Sequence, residues 1–279
     1  MNEIWCDGQW LPADKSPSTA LDRGAILGLG LFETLLVLDG RPVFWDRHLA
    51  RLSRSAERLG WVLELADFQE ICGQLLARNG LTVGRARLRL TVTAGSGPLD
   101  DLTAGADRRI WLAATPLAAP PDSVALGLSP WPRHERSALA GLKTASYGEN
   151  LVALDEARQR GFQETLFLNT ADQLCEAATA NVFLVKNGQV STPPLASGCL
   201  PGVGREVIWQ LAQRHGLAVD ERSLTMADLL AADEIFLTSA TRGPVAVSRF
   251  EQRELMPGPV TATLRQLWQA EIISRGQEC

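Results

Sequence analysis

The sequence predicts an α+β protein of two domains with mixed sheets. Three observations carry that prediction. Short apolar runs alternate with turn dipeptides, the pattern of strands joined by hairpins. Between them lie stretches whose apolar residues recur at helical spacing. The segment Pro116-Leu-Ala-Ala-Pro-Pro-Asp122 is too rich in proline for a helix or a central strand, and so divides the chain. The expected organisation is an N-terminal α+β domain over 1–116, a linker over 117–122 and a C-terminal α+β domain over 123–279. A chain of 279 residues is long enough to bury two cores.

Asp7-Gly8 and Asp39-Gly40 each sit between apolar runs, the strongest short-range hairpin signal. Strands over 32–38 and 42–45 would flank the second turn. Asp46 is a candidate N-cap for a helix reaching about Leu59, with Leu49, Leu52, Ala56 and Leu59 on one face. A second helix is expected over 66–78. Residues 85–93 alternate in period two, a half-buried strand, and 110–115 should pair with it. Beyond the linker, strands are expected near 124–128, 164–168, 181–185, 189–192, 217–223 and 234–238. Helices are expected near 149–159, 203–215 and 225–231, and Asn187-Gly188 marks another hairpin.

Composition excludes several classes of function. Apolar residues make up 46% and charged residues 21%, as in an ordinary globular protein. The net charge is −5 and the basic residues are interspersed with acids, so no nucleic-acid footprint is present. No apolar run approaches the ~20 residues that span a bilayer, and the N-terminus lacks the basic-then-apolar pattern of a secretory signal. A cytoplasmic protein without nucleic-acid or membrane partners is expected. The five cysteines are scattered, with no C-x-x-C pair, and read as reduced structural thiols. With three widely spaced histidines, no metal site is expected. No H-E-x-x-H, P-loop or G-x-S-x-G occurs. Gly24, Gly28 and Gly30 have the wrong spacing for a dinucleotide loop.

Scarcity directs attention to single residues. The chain has 24 arginines but only Lys15, Lys143 and Lys186, and one tyrosine, Tyr147. Lys15 and Lys186 lie in polar turns. Lys143 sits in the small, apolar run Ala138-Leu-Ala-Gly-Leu-Lys-Thr-Ala-Ser-Tyr147. A buried ammonium there costs several kcal/mol, which favours the neutral amine that a Schiff base with an aldehyde cofactor requires. The bland alternative is a lysine that snorkels to water. Glu176 is a lone acid in Leu174-Cys-Glu-Ala-Ala-Thr-Ala-Asn-Val-Phe183 and needs a partner, either a protonated pyridine nitrogen or one of the arginines. Leu200-Pro-Gly-Val-Gly-Arg205 opens a helix whose first N–H groups can hold an anion. A second candidate phosphate contact is the loop Thr238-Ser-Ala-Thr-Arg-Gly243, which offers Ser239, Ala240 and Thr241 after an apolar strand.

Together these segments resemble the fold-type IV pyridoxal-phosphate enzymes, the class IV aminotransferase family. That family includes aminodeoxychorismate lyases and the D-amino-acid and branched-chain transaminases. The matching blocks run in order along nearly the whole chain. They are Asp22-Arg-Gly24, Gly28-Leu-Gly-Leu-Phe-Glu-Thr34, His48-Leu-Ala-Arg-Leu52, Gly141-Leu-Lys-Thr-Ala-Ser-Tyr147, Glu176 with Ala180-Asn-Val-Phe183, Thr192-Pro-Pro194, Gly198-Cys-Leu-Pro-Gly-Val-Gly-Arg205 and Phe236-Leu-Thr-Ser-Ala-Thr241. The resemblance implies a two-domain fold-type IV enzyme with mixed sheets, binding pyridoxal 5'-phosphate and working as a homodimer on a small amine or amino acid. Lys143 would be the Schiff-base lysine and proton shuttle, carried by the C-terminal domain. Glu176 would pair with the pyridine nitrogen, and Tyr147 would lie near the ring oxygen. Arg51, the amides of Val203 and Gly204, and Thr241 would bind the phosphate.

Two reactions share these residues. The first expectation is 4-amino-4-deoxychorismate lyase, giving p-aminobenzoate and pyruvate for folate synthesis. The alternative is transamination of branched-chain or related amino acids or amines, which Tyr147 favours. Gly204 stands where relatives often have threonine, and Leu29 where they have aspartate. The loop Thr93-Ala-Gly-Ser-Gly-Pro-Leu-Asp-Asp101 lacks the Arg and His with which D-amino-acid transaminases grip the substrate carboxylate, and Phe32 replaces their tyrosine. D-amino-acid transamination is thereby disfavoured.

Overall fold

A computed structural model describes residues 2–15, 20–64, 68–102 and 108–275. The chain forms two units. The first holds the residues up to Ala119, the segment Leu142–Tyr147 and the chain from Ile272; the second holds Pro120–Gly141 and Gly148–Glu271.

The first unit opens with β1 (Glu3–Cys6) and β2 (Gln9–Pro12). Asp7 (φ 46°) and Gly8 (φ 85°) join them in the left-handed conformation that a two-residue hairpin needs. A short helix α1 (Arg23–Leu27) precedes β3 (Gly30–Leu38), β4 (Arg41–Pro42), α2 (Trp45–Arg58), α3 (Phe68–Arg78), β5 (Arg85–Thr93) and β6 (Arg109–Pro116). The expected start of α3 at 66 lies outside the described residues. The strands form one antiparallel sheet in the order β2-β1-β6-β5-β3-β4. Alternation in β5 sends Ala86, Leu88 and Leu90 into a core with Leu31, Leu35, Leu52, Leu75 and Leu76. Arg87 and Arg89 go to the opposite face, which they share with Phe32, the cross-strand partner of Thr91.

Helix α2 starts two residues earlier than an Asp46 N-cap would have it. Phe44 is the N-cap, in the left-handed region (φ 56°) and without a side-chain cap bond, while Asp46 complements the dipole in the first turn. Asp22 and Arg23 have structural work. Asp22 caps α1 by accepting from Gly24 N and also accepts from the Thr93 hydroxyl. The buried Arg23 donates to the carbonyls of Ala94, Gly95, Pro98 and Asp101, and so ties down the segment after β5.

One expectation is corrected here. The lysine-bearing segment Leu142–Tyr147 belongs to the first unit, not to a C-terminal domain. It runs antiparallel to the start of β3: Phe32 N donates to Lys143 O (2.9 Å), Ala145 N to Gly30 O (2.7 Å), and Leu31 bridges Thr144. The glycines of the Gly28-Leu-Gly30 block permit that approach. A Cβ on Gly28 would lie 3.2 Å from Ser146 Cα, and one on Gly30 would lie 2.9 Å from Val92 O and 3.1 Å from Ala145 Cβ. Backbone pairing with β3 outweighs sequence proximity to the later strands.

The second unit contains β7 (Ser123–Leu128), α4 (Gly148–Gln159), β8 (Glu164–Leu168), β9 (Leu174–Ala177), β10 (Asn181–Lys186), β11 (Gln189–Thr192), α5 (Val203–Arg214), β12 (Val219–Glu221), α6 (Met226–Ala231), β13 (Glu234–Ser239), β14 (Gly243–Phe250), β15 (Arg253–Glu254) and α7 (Pro259–Arg275), whose last residues fall in the first unit. Its sheet is mixed, in the order β12-β11-β10-β13-β14-β7-β8-β9, with β15 beside β14. The pairs β11–β12, β14–β7 and β7–β8 are parallel. Leu126, Leu166, Val182, Leu184, Ile235 and Leu237 are among the residues of the main core. The α+β class expected from the sequence is the class observed, with a mixed sheet in the second unit and an antiparallel one in the first. Among the described residues no helix is long and apolar enough to cross a membrane.

Candidate active site

The candidate residues fall into two sets, one in each unit. In the first, Lys143 Nζ lies 4.4 Å from the centroid of the Phe32 ring and 5.7 Å from that of Tyr147. The two rings meet edge to face, 5.5 Å apart at 81°. The Arg89 guanidinium also lies over Phe32, 3.8 Å from its centroid, while its Nε donates to Thr91 Oγ1 (3.2 Å). The Phe32 ring thus has both the Lys143 amine and the Arg89 guanidinium within reach, and the guanidinium is favoured by the ring quadrupole. Arg89 makes no ion pair among the described residues. Burial and the neighbouring Arg87 lower its pKa, with Tyr147 acting in the opposite direction.

Below the sheet, α2 presents His48 and Arg51 to Glu33 of β3. Arg51 donates through Nε (2.8 Å) and Nη2 (2.6 Å), one to each carboxylate oxygen of Glu33. His48 Nδ1 lies 2.6 Å from Glu33 Oε2. All three side chains are almost fully buried. Burial alone would push the Glu33 carboxyl up, but the Arg51 charge and the hydrogen bonds from Arg51 and His48 hold it down at about 2. Burial lowers the His48 pKa against the pull of Glu33, and the positive charges of Arg51 and Lys143 lower it further. A neutral His48 donating through Nδ1 leaves Nε2 as an acceptor, and that atom is buried without a partner.

In the second unit, Glu176 lies on β9 opposite Phe167 of β8. Its Oε2 accepts from Leu200 N (3.0 Å), and Arg133 Nε stands 4.0 Å from Oε1. Arg133 also stacks on the Phe167 ring and pairs with Glu149. The sequence left Glu176 with either a pyridine nitrogen or an arginine as partner, and Arg133 takes the second place without excluding the first.

Val203 and Gly204 begin α5. The N-cap is Gly202, which supplies no side-chain cap, so the first N–H groups of the helix lack an intrahelical acceptor and have no side-chain cap from that residue. A Cβ on Gly204 would lie 3.0 Å from Ser239 C and 3.1 Å from Thr238 Oγ1. Glycine at 204 therefore lets the β13 end approach the helix. Thr238 Oγ1 at the same spot is buried and has no hydrogen-bond partner among the described residues. Ser239, Ala240 and Thr241 occupy the tip of the β13–β14 hairpin, closed by Ser239 pairing with Gly243. The sequence led from Thr238 into a loop; the structure turns it back as β14.

Each set fits part of a phosphorylated aldehyde cofactor. The first offers an amine among aromatic rings, and the second offers uncapped helix amides, hydroxyls and a carboxylate beside an arginine. Phe32, Glu33, His48, Arg89, Arg133 and Arg242 escaped assignment from sequence, because their roles rest on partners far along the chain.

A family model for class IV aminotransferases matches residues 30–250. The chain belongs to that family, whose cofactor is pyridoxal 5'-phosphate. The branched-chain-amino-acid aminotransferase of Escherichia coli K12 is 30% identical over 281 residues, spanning 94% of this chain and 90% of that one. A crystal structure of the E. coli enzyme superposes with a TM-score of 0.89 at 25% identity, covering 97% and 94% of the two chains. A Legionella pneumophila structure described as "Putative 4-amino-4-deoxychorismate lyase" gives 0.84 at 27% identity, covering 94% and 98%. A Mycobacterium tuberculosis structure described as "A hypothetical aminotransferase", in its PLP-bound form, gives 0.86 at 26%, covering 98% and 99%.

Proposed function

We propose that this protein is a pyridoxal-phosphate-dependent aminotransferase that acts on an amino acid and a keto acid as amino acceptor. The observation that carries the reading is the Lys143 amine held over Phe32 and beside Tyr147, with Arg89 over the same ring. The names of the sequence relatives support transamination ahead of elimination, and branched-chain amino acids are the first donors to try.

When bound, the cofactor supplies a conjugated pyridinium ring that can take up the electrons of a substrate C–H bond. Lys143 Nζ would hold its aldehyde and, once released by the substrate amine, would take the proton from the substrate α-carbon. The Phe32 and Tyr147 rings flank that amine and would fix the direction from which it meets the substrate. Glu176 would hold the proton on the ring nitrogen, with the Leu200 amide and Arg133 orienting its carboxylate. Tyr147 would donate to the ring oxygen. Arg51, held in plane by Glu33, would bind the phosphate with the Val203 and Gly204 amides and Thr241; Ser239 and Ala240 belong to the same loop. Arg89, with no acidic partner among the described residues, is suited to a substrate carboxylate.

The second reading is 4-amino-4-deoxychorismate lyase, favoured by the short Ser239–Gly243 turn, the Leu139-Ala-Gly-Leu-Lys143 approach and the Legionella neighbour. Purified protein loaded with cofactor separates the two. Under the transaminase reading, branched-chain amino donors bleach the yellow band and 2-oxo acids restore it. Repeated release of p-aminobenzoate from aminodeoxychorismate with no keto acid present would instead establish the lyase.

A further inference from the structure

Outside the residues already assigned, one buried acid holds together three elements of the second unit. Glu164 on β8 is 2% exposed, and every hydrogen-bond partner of its carboxylate comes from another element. Thr179, in the turn between β9 and β10, donates to it through both its backbone N (3.3 Å) and its hydroxyl. Arg242, at the end of the β13–β14 turn, donates through Nη2 to Glu164 Oε1 (2.9 Å) and to Thr179 Oγ1 (2.7 Å). From the same guanidinium, Nε donates to Ser239 Oγ (3.3 Å).

We propose that Arg242 is a positioning residue for the phosphate end of the cofactor site. It fixes the loop Ser239–Thr241 against the turn that directly follows the Glu176 strand, and the proposal rests on the cofactor reading above. A planar guanidinium can hold both attachments at once because Nε and Nη2 keep a fixed separation. Arg242 is the member that links Ser239 of the loop to Glu164 and Thr179, so its removal loosens that link and leaves a buried carboxylate short of its cation. Backbone bonds between Ser239 and its neighbours also close the tip. The phosphate end of the ligand should sense this, while the ring, held by other residues, should not.

The test compares binding of pyridoxal 5'-phosphate and of phosphate-free pyridoxal to full-length protein reconstituted with each, followed by absorbance. Arg242→Gln should weaken pyridoxal phosphate binding about tenfold or more, the scale of one charge-assisted hydrogen bond. Pyridoxal binding should stay nearly constant, so the preference for the phosphorylated ligand collapses. Arg242→Lys should recover part of that preference. Thr179→Val, which removes one hydroxyl at nearly constant volume, should shift it the same way by less, and it carries the test if the Arg242 variants do not fold. Equal losses for both ligands, or a preference retained in Arg242→Gln and Thr179→Val, would overturn the proposal while leaving the cofactor reading intact. A wild-type protein that does not prefer pyridoxal phosphate would overturn both.

Discussion

At the scale of single residues, Lys143 and Glu33 make contrasting cases. Lys143 stood out in the sequence because only three lysines occur and its neighbours are small and apolar. Lys143→Ala should abolish the yellow colour and leave no cofactor mass attached after borohydride reduction; a labelled Lys143→Ala protein would move the role elsewhere. Glu33 gave no such signal, because its partners sit fifteen and eighteen residues away on a helix. Removing one member of a buried pair strands the other, so Glu33→Gln should cost about 3 kcal/mol or more in urea unfolding. The pH dependence follows from the two lowered pKa values. His48 stays neutral in the fold yet gains a proton when unfolded, so its share of stability is present above about pH 6.5 and declines as the pH falls below it. The Glu33 carboxyl lies at about 2 against an ordinary value near 4.5, so its share is present above that value and is lost as the pH falls toward 2. Unfolding midpoints from pH 8 to 5 should fall in the wild type and fall less in His48→Gln. Parallel curves would count against a neutral His48.

At the scale of elements, the sequence was readable wherever a local rule was strong. Asp7-Gly8, Asp39-Gly40 and Asn187-Gly188 all have positive φ at both residues, as their hairpins require. Strands 85–93, 164–168 and 189–192 carry their full expected ranges. β9 carries the acid Glu176 and has no turn dipeptide like the Asn187-Gly188 that marks β11, and β14 begins with Gly243-Pro244, so neither has the local signal that the other strands offer. Helix α7 had no assignment from its sequence, and its N-terminus is completed from a distance: Glu234 accepts from Val260 N, Thr261 N and the Thr261 hydroxyl. The α5 entry is legible as a glycine-rich turn, but its tightness is not. A Cβ on Gly202 would lie 2.0 Å from Asn181 Oδ1, the side chain whose amide holds Leu200 O. Gly202→Ala should therefore destabilise by about 1–3 kcal/mol, as overpacking does, and weaken anion binding at the same helix end. An unchanged urea midpoint would show that the turn yields freely.

At the scale of the whole molecule, composition and the ordered blocks gave the family, and spacing gave the α+β class. Domain membership was the part that sequence order misjudged. The lysine segment follows the proline-dense divider, yet its backbone bonds run to β3, more than a hundred residues earlier. No periodicity within six residues can reveal such a partner. The homodimer that the resemblance implies belongs to this scale too: light scattering on active protein should give twice the chain mass, and a monomeric active sample would refute it. The path of the chain also bears on how it could be divided. A gene split at the 119–120 boundary would yield two polypeptides, neither of which owns a complete first unit, because residues 142–147 travel with the second. Co-expressed, the halves should complement one another in trans and copurify through one affinity tag. Should they instead purify apart, each well folded, β3 would have to satisfy its exposed amides without the lysine strand.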